Sequence, residues 1–192
     1  MHYQEALELL LNGNKRFAAM RQVYPRQSSE HREELVKGQN PIAAILSCSD
    51  SRVPSELVFD QGLGDLFIVR TAGHTINELV IASLEYAVFA LQVSLIMVVG
   101  HEQCGAVTAV MTDSVLPGHM PQLAENLRPA LESVPKEADN AIEQAIKVNS
   151  QFTMQHLIEQ SEVLRTAVQE DKLKIVPAYY ELKTGIIHVL EG

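Results

Sequence analysis

Five short apolar runs punctuate a chain that is otherwise patterned for helices. Residues 42–48 (IAAILSC), 66–71 (LFIVRT), 93–99 (VSLIMVV), 173–179 (LKIVPAY) and 186–190 (IIHVL) each have strand length. The first three are apolar almost without a break and alternate with helical patterns, as parallel strands do when helices cover both faces of their sheet. Only residues 180–185 separate the last two runs, with Glu181 to Gly185 as the loop, a hairpin spacing. The expected fold is α/β: a mostly parallel β-sheet flanked by helices, with an antiparallel edge strand near the C-terminus.

Helical patterns fill the gaps. Residues 5–20 carry Ala6, Leu9, Leu10 and Phe17 at helical spacing, and Ser28 or Ser29 is placed to cap a helix that Gly38 ends. Pro54 suits the first turn of a short helix through Phe59. Thr75 with Glu78 three residues later has the form of a capping box, opening an apolar helix through Leu91. Beyond Gly118 the pattern stays helical almost to Asp171, with breaks near Pro135 and Ser161. That half carries no obvious chemistry and reads as scaffold.

Composition narrows the class. At 192 residues, with 46% apolar and 20% charged residues and no linker or repeat, the chain reads as one domain, 1–192, with an N-terminal helical arm over about 1–37. A formal charge of −9 disfavours nucleic acid and anionic membrane as partners. The longest apolar stretch, residues 86–100, is broken by Gln92 and Ser94 and falls short of the roughly 20 residues of a membrane span. The opening residues lack a basic segment followed by an apolar one, so the expectation is a cytoplasmic protein with reduced cysteines.

The only two cysteines sit in two motifs that close apolar runs, Cys48-Ser-Asp50-Ser-Arg52 and Gly100-His101-Glu-Gln-Cys104-Gly105. Together they offer two thiolates and an imidazole, the ligand set of a zinc ion with one position left open for chemistry. Both motifs lie where a strand ends, the place where open parallel sheets present their crevices. If the extended conformation continued, Cys48, Asp50 and Arg52 would share one face, while His101 and Cys104 would meet on the first turn of a helix. Gly100 and Gly105 would leave room for backbone to approach the metal. Two thiolates neutralise a zinc dication, so water on this metal should ionise above the value of about 7 seen with three imidazoles. Asp50 is the candidate proton acceptor, with Arg52 holding it ionised and turned. Released by Arg52, Asp50 is also the candidate fourth ligand of a closed state. Against these stand plainer readings: inert buried thiols, a local ion pair at Asp50 and Arg52, and a helix-start residue at His119.

At these residues the chain resembles the β-class carbonic anhydrases, whose CxDxR and HxxC motifs are complete here. The likeness extends through Val53-Pro54-Ser-Glu56, Asp60-Gln-Gly-Leu-Gly64-Asp-Leu-Phe67 and Ala178-Tyr179-Tyr180-Glu-Leu-Lys-Thr-Gly185. The resemblance implies zinc (Zn2+) on Cys48, His101 and Cys104, with zinc-bound hydroxide attacking carbon dioxide to give bicarbonate and a proton. It implies a homodimer or higher homo-oligomer, in which Gln39 reaches the neighbouring subunit's substrate and Phe67 lines an apolar pocket. Val53, Gly105 and the apolar helix after Thr75 are further candidates for that pocket, since an apolar substrate needs a dry wall more than a charged grip. A subgroup of the family carries an inhibitory bicarbonate pocket built on a tryptophan. Here Ile45 stands at that place beside Arg70 and Tyr180, and the chain has no Trp. His74 replaces an asparagine common among relatives and reads as a proton shuttle or a capping group. Two other functions share the same residues: hydrolysis of carbon disulfide or carbonyl sulfide, and a non-catalytic zinc-stabilised binding or sensor protein.

Overall fold

The computed structural model describes residues 1–192. Five strands form one sheet in the order β2-β1-β3-β4-β5. They are β1 (Ala43–Cys48), β2 (Leu66–Thr71), β3 (Leu95–His101), β4 (Lys174–Tyr180) and β5 (Ile187–Val189). The first four are parallel neighbours, and β5 runs antiparallel on the far edge of β4. The α/β architecture expected from the apolar runs is the one observed. Strand β3 begins two residues later than its pattern suggests, because the Val93 N–H donates to Ala87 O and closes the preceding helix. It also runs on through His101, which makes that histidine a strand residue.

Helices cover both faces, which is why the central strands β1 and β3 are buried at every position. On one face Ala43, Ile45, Leu95, Met97 and Val99 pack against Ala6 and Leu10 of α1 (Tyr3–Ala18) and Val58 of α3 (Ser55–Val58). On the other, Ala44, Leu46, Ile96 and Val98 meet Leu84 of α4 (Glu78–Phe89), Leu157 of α7 (Ala141–Gln160) and Leu164 of α8 (Glu162–Gln169). Helix α2 (Ser29–Leu35) buries none of its residues. A third cluster joins α5 (Gly105–Met111), α6 (Pro121–Leu131) and α7 around Cys48, Cys104 and Tyr179. No helix is long and apolar enough to cross a membrane.

The N-terminal helix is built into this body. Asn14, buried among apolar neighbours, donates to Val58 O and Gly185 O and accepts from the Ile187 N–H, so it ties α1 to α3 and to the terminal hairpin. The inward stripe is Ala6, Leu10, Gly13 and Asn14, while Leu9 turns outward and is 44% exposed. The apolar face of α1 is therefore already used within the chain. The unpartnered apolar surface lies elsewhere, on edge strand β2, whose residues are all at least partly exposed, and on α4, where Leu79 and Phe89 stand 77% and 81% exposed.

Helix α4 is capped by Asn77, whose Oδ1 accepts from the Leu79 and Val80 N–H groups, and not by Thr75. The segment ahead of it is held extended from outside. Asn126 of α6 takes both the N–H and the carbonyl of Ile76, and Thr71 Oγ1 donates to Thr75 O. Ser161 does break the long helical half, its Oγ accepting from the Leu164 N–H to start α8.

Candidate metal centre

Cys48 is the last residue of β1 and His101 the last of β3, and these two strands are neighbours. Cys104 follows a tight turn with Gln103 at φ 53° and occupies the position just before α5. One ligand atom from each residue lies within 4.8 Å of the other two, and all three side chains are buried. The pair His101 and Cys104 thus meets across a strand-to-helix turn instead of along a helical one.

The donor set fits a cation. His101 Nδ1 lies 2.9 Å from the Glu102 carbonyl, which can only accept, so Nδ1 carries the proton and Nε2 presents a bare lone pair. That Nε2 is buried without a protein partner, an arrangement with a cost unless a metal accepts the lone pair. The two sulfurs act on one another: the Cys104 side chain pulls the Cys48 thiol well below its ordinary range, and the same interaction drives Cys104 upward. Two thiolates side by side would repel, and a dication would stabilise them. Cys48 Sγ also accepts from the Asp50 N–H at 3.4 Å and the Gly73 N–H at 3.3 Å.

Asp50 and Arg52 do not continue the strand. The Val53 N–H closes a turn onto Asp50 O, and Asp50 Oδ1 accepts from the Arg52 N–H. The turn sets the dyad: Arg52 Nε donates to Oδ1 at 2.9 Å and Nη2 to Oδ2 at 2.7 Å. This fork holds the carboxyl well below the usual carboxylate range. Asp50 Oδ2 stands 3.9 Å from His101 Nε2, next to the cluster of Cys48, His101 and Cys104. Arg52 Nη2 also reaches Gln103 O, so one side chain links the two motifs.

Arg70 was considered above only as part of an inhibitory pocket, and its observed work is local. Its Nε donates to Cys48 O at 2.9 Å and its Nη2 to Asp50 O at 2.7 Å, bracing the turn that carries both residues. Ile45 is fully buried in the core and Tyr180 nearly so. His74 is fully buried, accepts from Asn149 Nδ2 at 2.8 Å, and is pushed down to about 4 by burial, so it is neutral near pH 7.

The remaining site candidates divide. Val53 is buried directly after the Asp50 turn. Gly105 is exposed with open space where a Cβ would sit, and Gly100 serves packing, since a Cβ there would lie 2.5 Å from Ser150 Oγ of α7. Phe67 pairs with Ala44, four residues before the Thr71 that pairs with Cys48, which puts it about 13 Å down the strand from the ligands. It packs beside Tyr86, with ring centroids 6.2 Å apart. Gln39 is exposed and precedes β1, at the same distant end. The chain's own fold brings neither of them to the metal ligands. The contacts from Gly73 and Asn149 had no motif to announce them. Their only sequence signal is a polar residue on the apolar inward stripe of α7, with Ala145, Ile146 and Leu157.

Comparison with known proteins supplies names for this arrangement. A family model described as carbonic anhydrase matches residues 43–187. Carbonic anhydrase 2 of Mycobacterium tuberculosis is 40% identical over 184 residues, covering 94% of this chain and 89% of that protein. The carbonic anhydrase of Mycolicibacterium smegmatis is 36% identical over 188 residues, covering 96% and 91%. Among solved structures, the β-carbonic anhydrase CafA of Aspergillus fumigatus superposes with a TM-score of 0.76 at 28% identity, covering 94% of this chain and 88% of that one.

Proposed function

Because the chain belongs to the β-class carbonic anhydrase family, we propose that it hydrates carbon dioxide reversibly to bicarbonate and a proton at a zinc ion held by Cys48, His101 and Cys104. The observation that carries this reading is the buried, unpartnered Nε2 of His101 clustered with two buried sulfurs within 4.8 Å, with the Asp50 carboxylate 3.9 Å away. Zinc supplies the Lewis acidity that makes hydroxide available from water at moderate pH.

The protein's own residues do the rest. The Glu102 carbonyl fixes the imidazole so that Nε2 faces inward. Arg52 keeps Asp50 ionised and turned, able to accept a hydrogen bond or proton at Oδ2 and held away from ligating as long as both fork bonds persist. Val53 supplies apolar wall next to the turn. Gln39 and Phe67 lie at the far end of β1 and β2, and we assign them to the site of a second copy, making the working unit at least a homodimer. The unpaired β2 edge and the exposed apolar residues of α4 support that assembly.

Zinc content and stopped-flow carbon dioxide hydration on the same preparation test the proposal. One zinc per chain and rapid hydration are expected, with most metal and activity lost in Cys48→Ser or Cys104→Ser. Full zinc occupancy in either variant would overturn the ligand assignment, and zinc-loaded wild-type protein without hydration activity would overturn the function.

A further inference from the structure

Helix α7 reaches the turn beside Cys48 chiefly through one buried amide, with the Ser150 hydroxyl at the longer distance of 3.5 Å from His74 Nε2. Asn149 is 2% exposed, and its Nδ2 has two hydrogens, both used: one is donated to Gly73 O at 3.1 Å and one to His74 Nε2 at 2.8 Å. The turn it grips is a strained one. Gly73 sits at φ 66° and His74 at φ 44°, two successive left-handed residues, and for a histidine that conformation needs outside support. Gly73 is held on both sides, with its carbonyl on Asn149 and its N–H on Cys48 Sγ at 3.3 Å. The helix itself is locked in place beside His101, because Ser150 Oγ and Ile146 fill the space where Gly100 lacks a side chain.

We propose that Asn149 is a positioning residue for the metal ligand Cys48, acting through the Gly73–His74 turn to hold the Gly73 N–H on the sulfur. An N–H···S bond withdraws charge from a thiolate, so the sulfur donates less to its metal, and the metal becomes the stronger Lewis acid. In a site already neutralised by two thiolates, this bond works against the loss of acidity. Asn149 lies on the buried face of α7 beside Ser150 and Thr153, and a buried amide there is costly unless something across from it accepts both hydrogens. The turn is that acceptor. The inference rests on the metal reading above, and its test separates the two.

Zinc affinity by chelator competition, and the thiolate-to-metal charge-transfer band of the cobalt-loaded protein, are to be compared in wild type, Asn149→Ala, Asn149→Ser and Thr153→Val. Serine cannot span both acceptors, so both position-149 variants should release the turn that positions the sulfur and weaken zinc binding about tenfold or more, and a thiolate left without its N–H donor should move the band to lower energy. Thr153→Val, which removes a hydroxyl from the buried face of the same helix but no bond to the Gly73–His74 turn, should leave both readings at wild-type values. A folded position-149 variant with unchanged affinity and band overturns the proposal, as does a Thr153→Val variant that reproduces the changes. Cadmium-loaded wild type gives a reading independent of any variant: cadmium–proton scalar coupling at the Gly73 amide is expected, and its absence overturns the proposal. A wild-type protein that binds no zinc fails the metal reading itself, whereas metal binding that is indifferent to Asn149 fails only this inference.

Discussion

Asp50 owes its role to a turn of three residues. Its carboxylate accepts from the Arg52 backbone and from both arms of the Arg52 guanidinium, so its charge and its orientation are set together. Asp50→Asn keeps the shape but removes the charge and the proton-accepting oxygen. Zinc content should stay at one per chain while turnover falls about a hundredfold or more, and unchanged turnover would reduce the dyad to a structural pair. Arg70 carries a different expectation. Its fork is committed to the carbonyls of Cys48 and Asp50, and Ile45 is buried where the resemblance places a tryptophan in one subgroup. Hydration should therefore rise with pH through a single-proton transition above about 7, and added bicarbonate should move that profile little. A multi-proton collapse steepened by bicarbonate would show that Arg70 can leave its carbonyls to bind the anion.

Elements are joined in this protein by buried polar ties between helices and loops, with Asp60 as the clearest case. Its side chain is fully buried directly after α3, yet it is matched on every side, by Arg16 Nε of α1 at 2.6 Å and by the Val23 and Tyr24 N–H groups. Burial alone would raise its pKa, but these donors more than offset that, and the net shift is downward. With the folded value below the unfolded one, the contribution to stability is complete above the unfolded pKa of about 4 and disappears as pH falls through the folded value. Asp60→Asn should cost on the order of 2 kcal/mol at pH 7 in urea denaturation. The gap from wild type should hold down to about pH 4 and close below it. A gap that widened in acid would mean that the native state does not favour the ionised carboxylate.

At the scale of the molecule, the distribution of apolar surface argues for a second copy. The inner strands and α1 are saturated, while β2 and the outer side of α4 are not. Tyr86 is half-exposed and stands beside Phe67, so a dimer that carries Phe67 to a partner's pocket would bury Tyr86 as well. Tyr86→Asp should yield a folded monomer by light scattering with most hydration activity gone and zinc retained. A Tyr86→Asp monomer with full activity would refute the shared site and return the whole pocket to one chain.

Local pattern sufficed for a good part of this. Unbroken apolar runs meant strands covered on both faces, a six-residue gap meant a hairpin, and the paired motifs at strand ends marked the three side chains that cluster, because each of these signals is written in neighbouring residues. The motif spacing also identified Asp50 and Arg52, although the chain turns there where an extended path was expected. What the tertiary structure decided depends on partners far apart in sequence. Asn126 holds Ile76 extended and so hands the cap of α4 from Thr75 to Asn77. Strand register sends Phe67 to the end of the sheet away from Cys48. Docking of α7 brings Asn149 onto a turn 76 residues earlier in the chain. Periodicity can say which face of a helix is buried, but a hydrogen bond between a helix and a distant turn exists only once packing has fixed both, so the fold and the clustering of Cys48, His101 and Cys104 could be read from the sequence while the groups that hold those side chains in place could not.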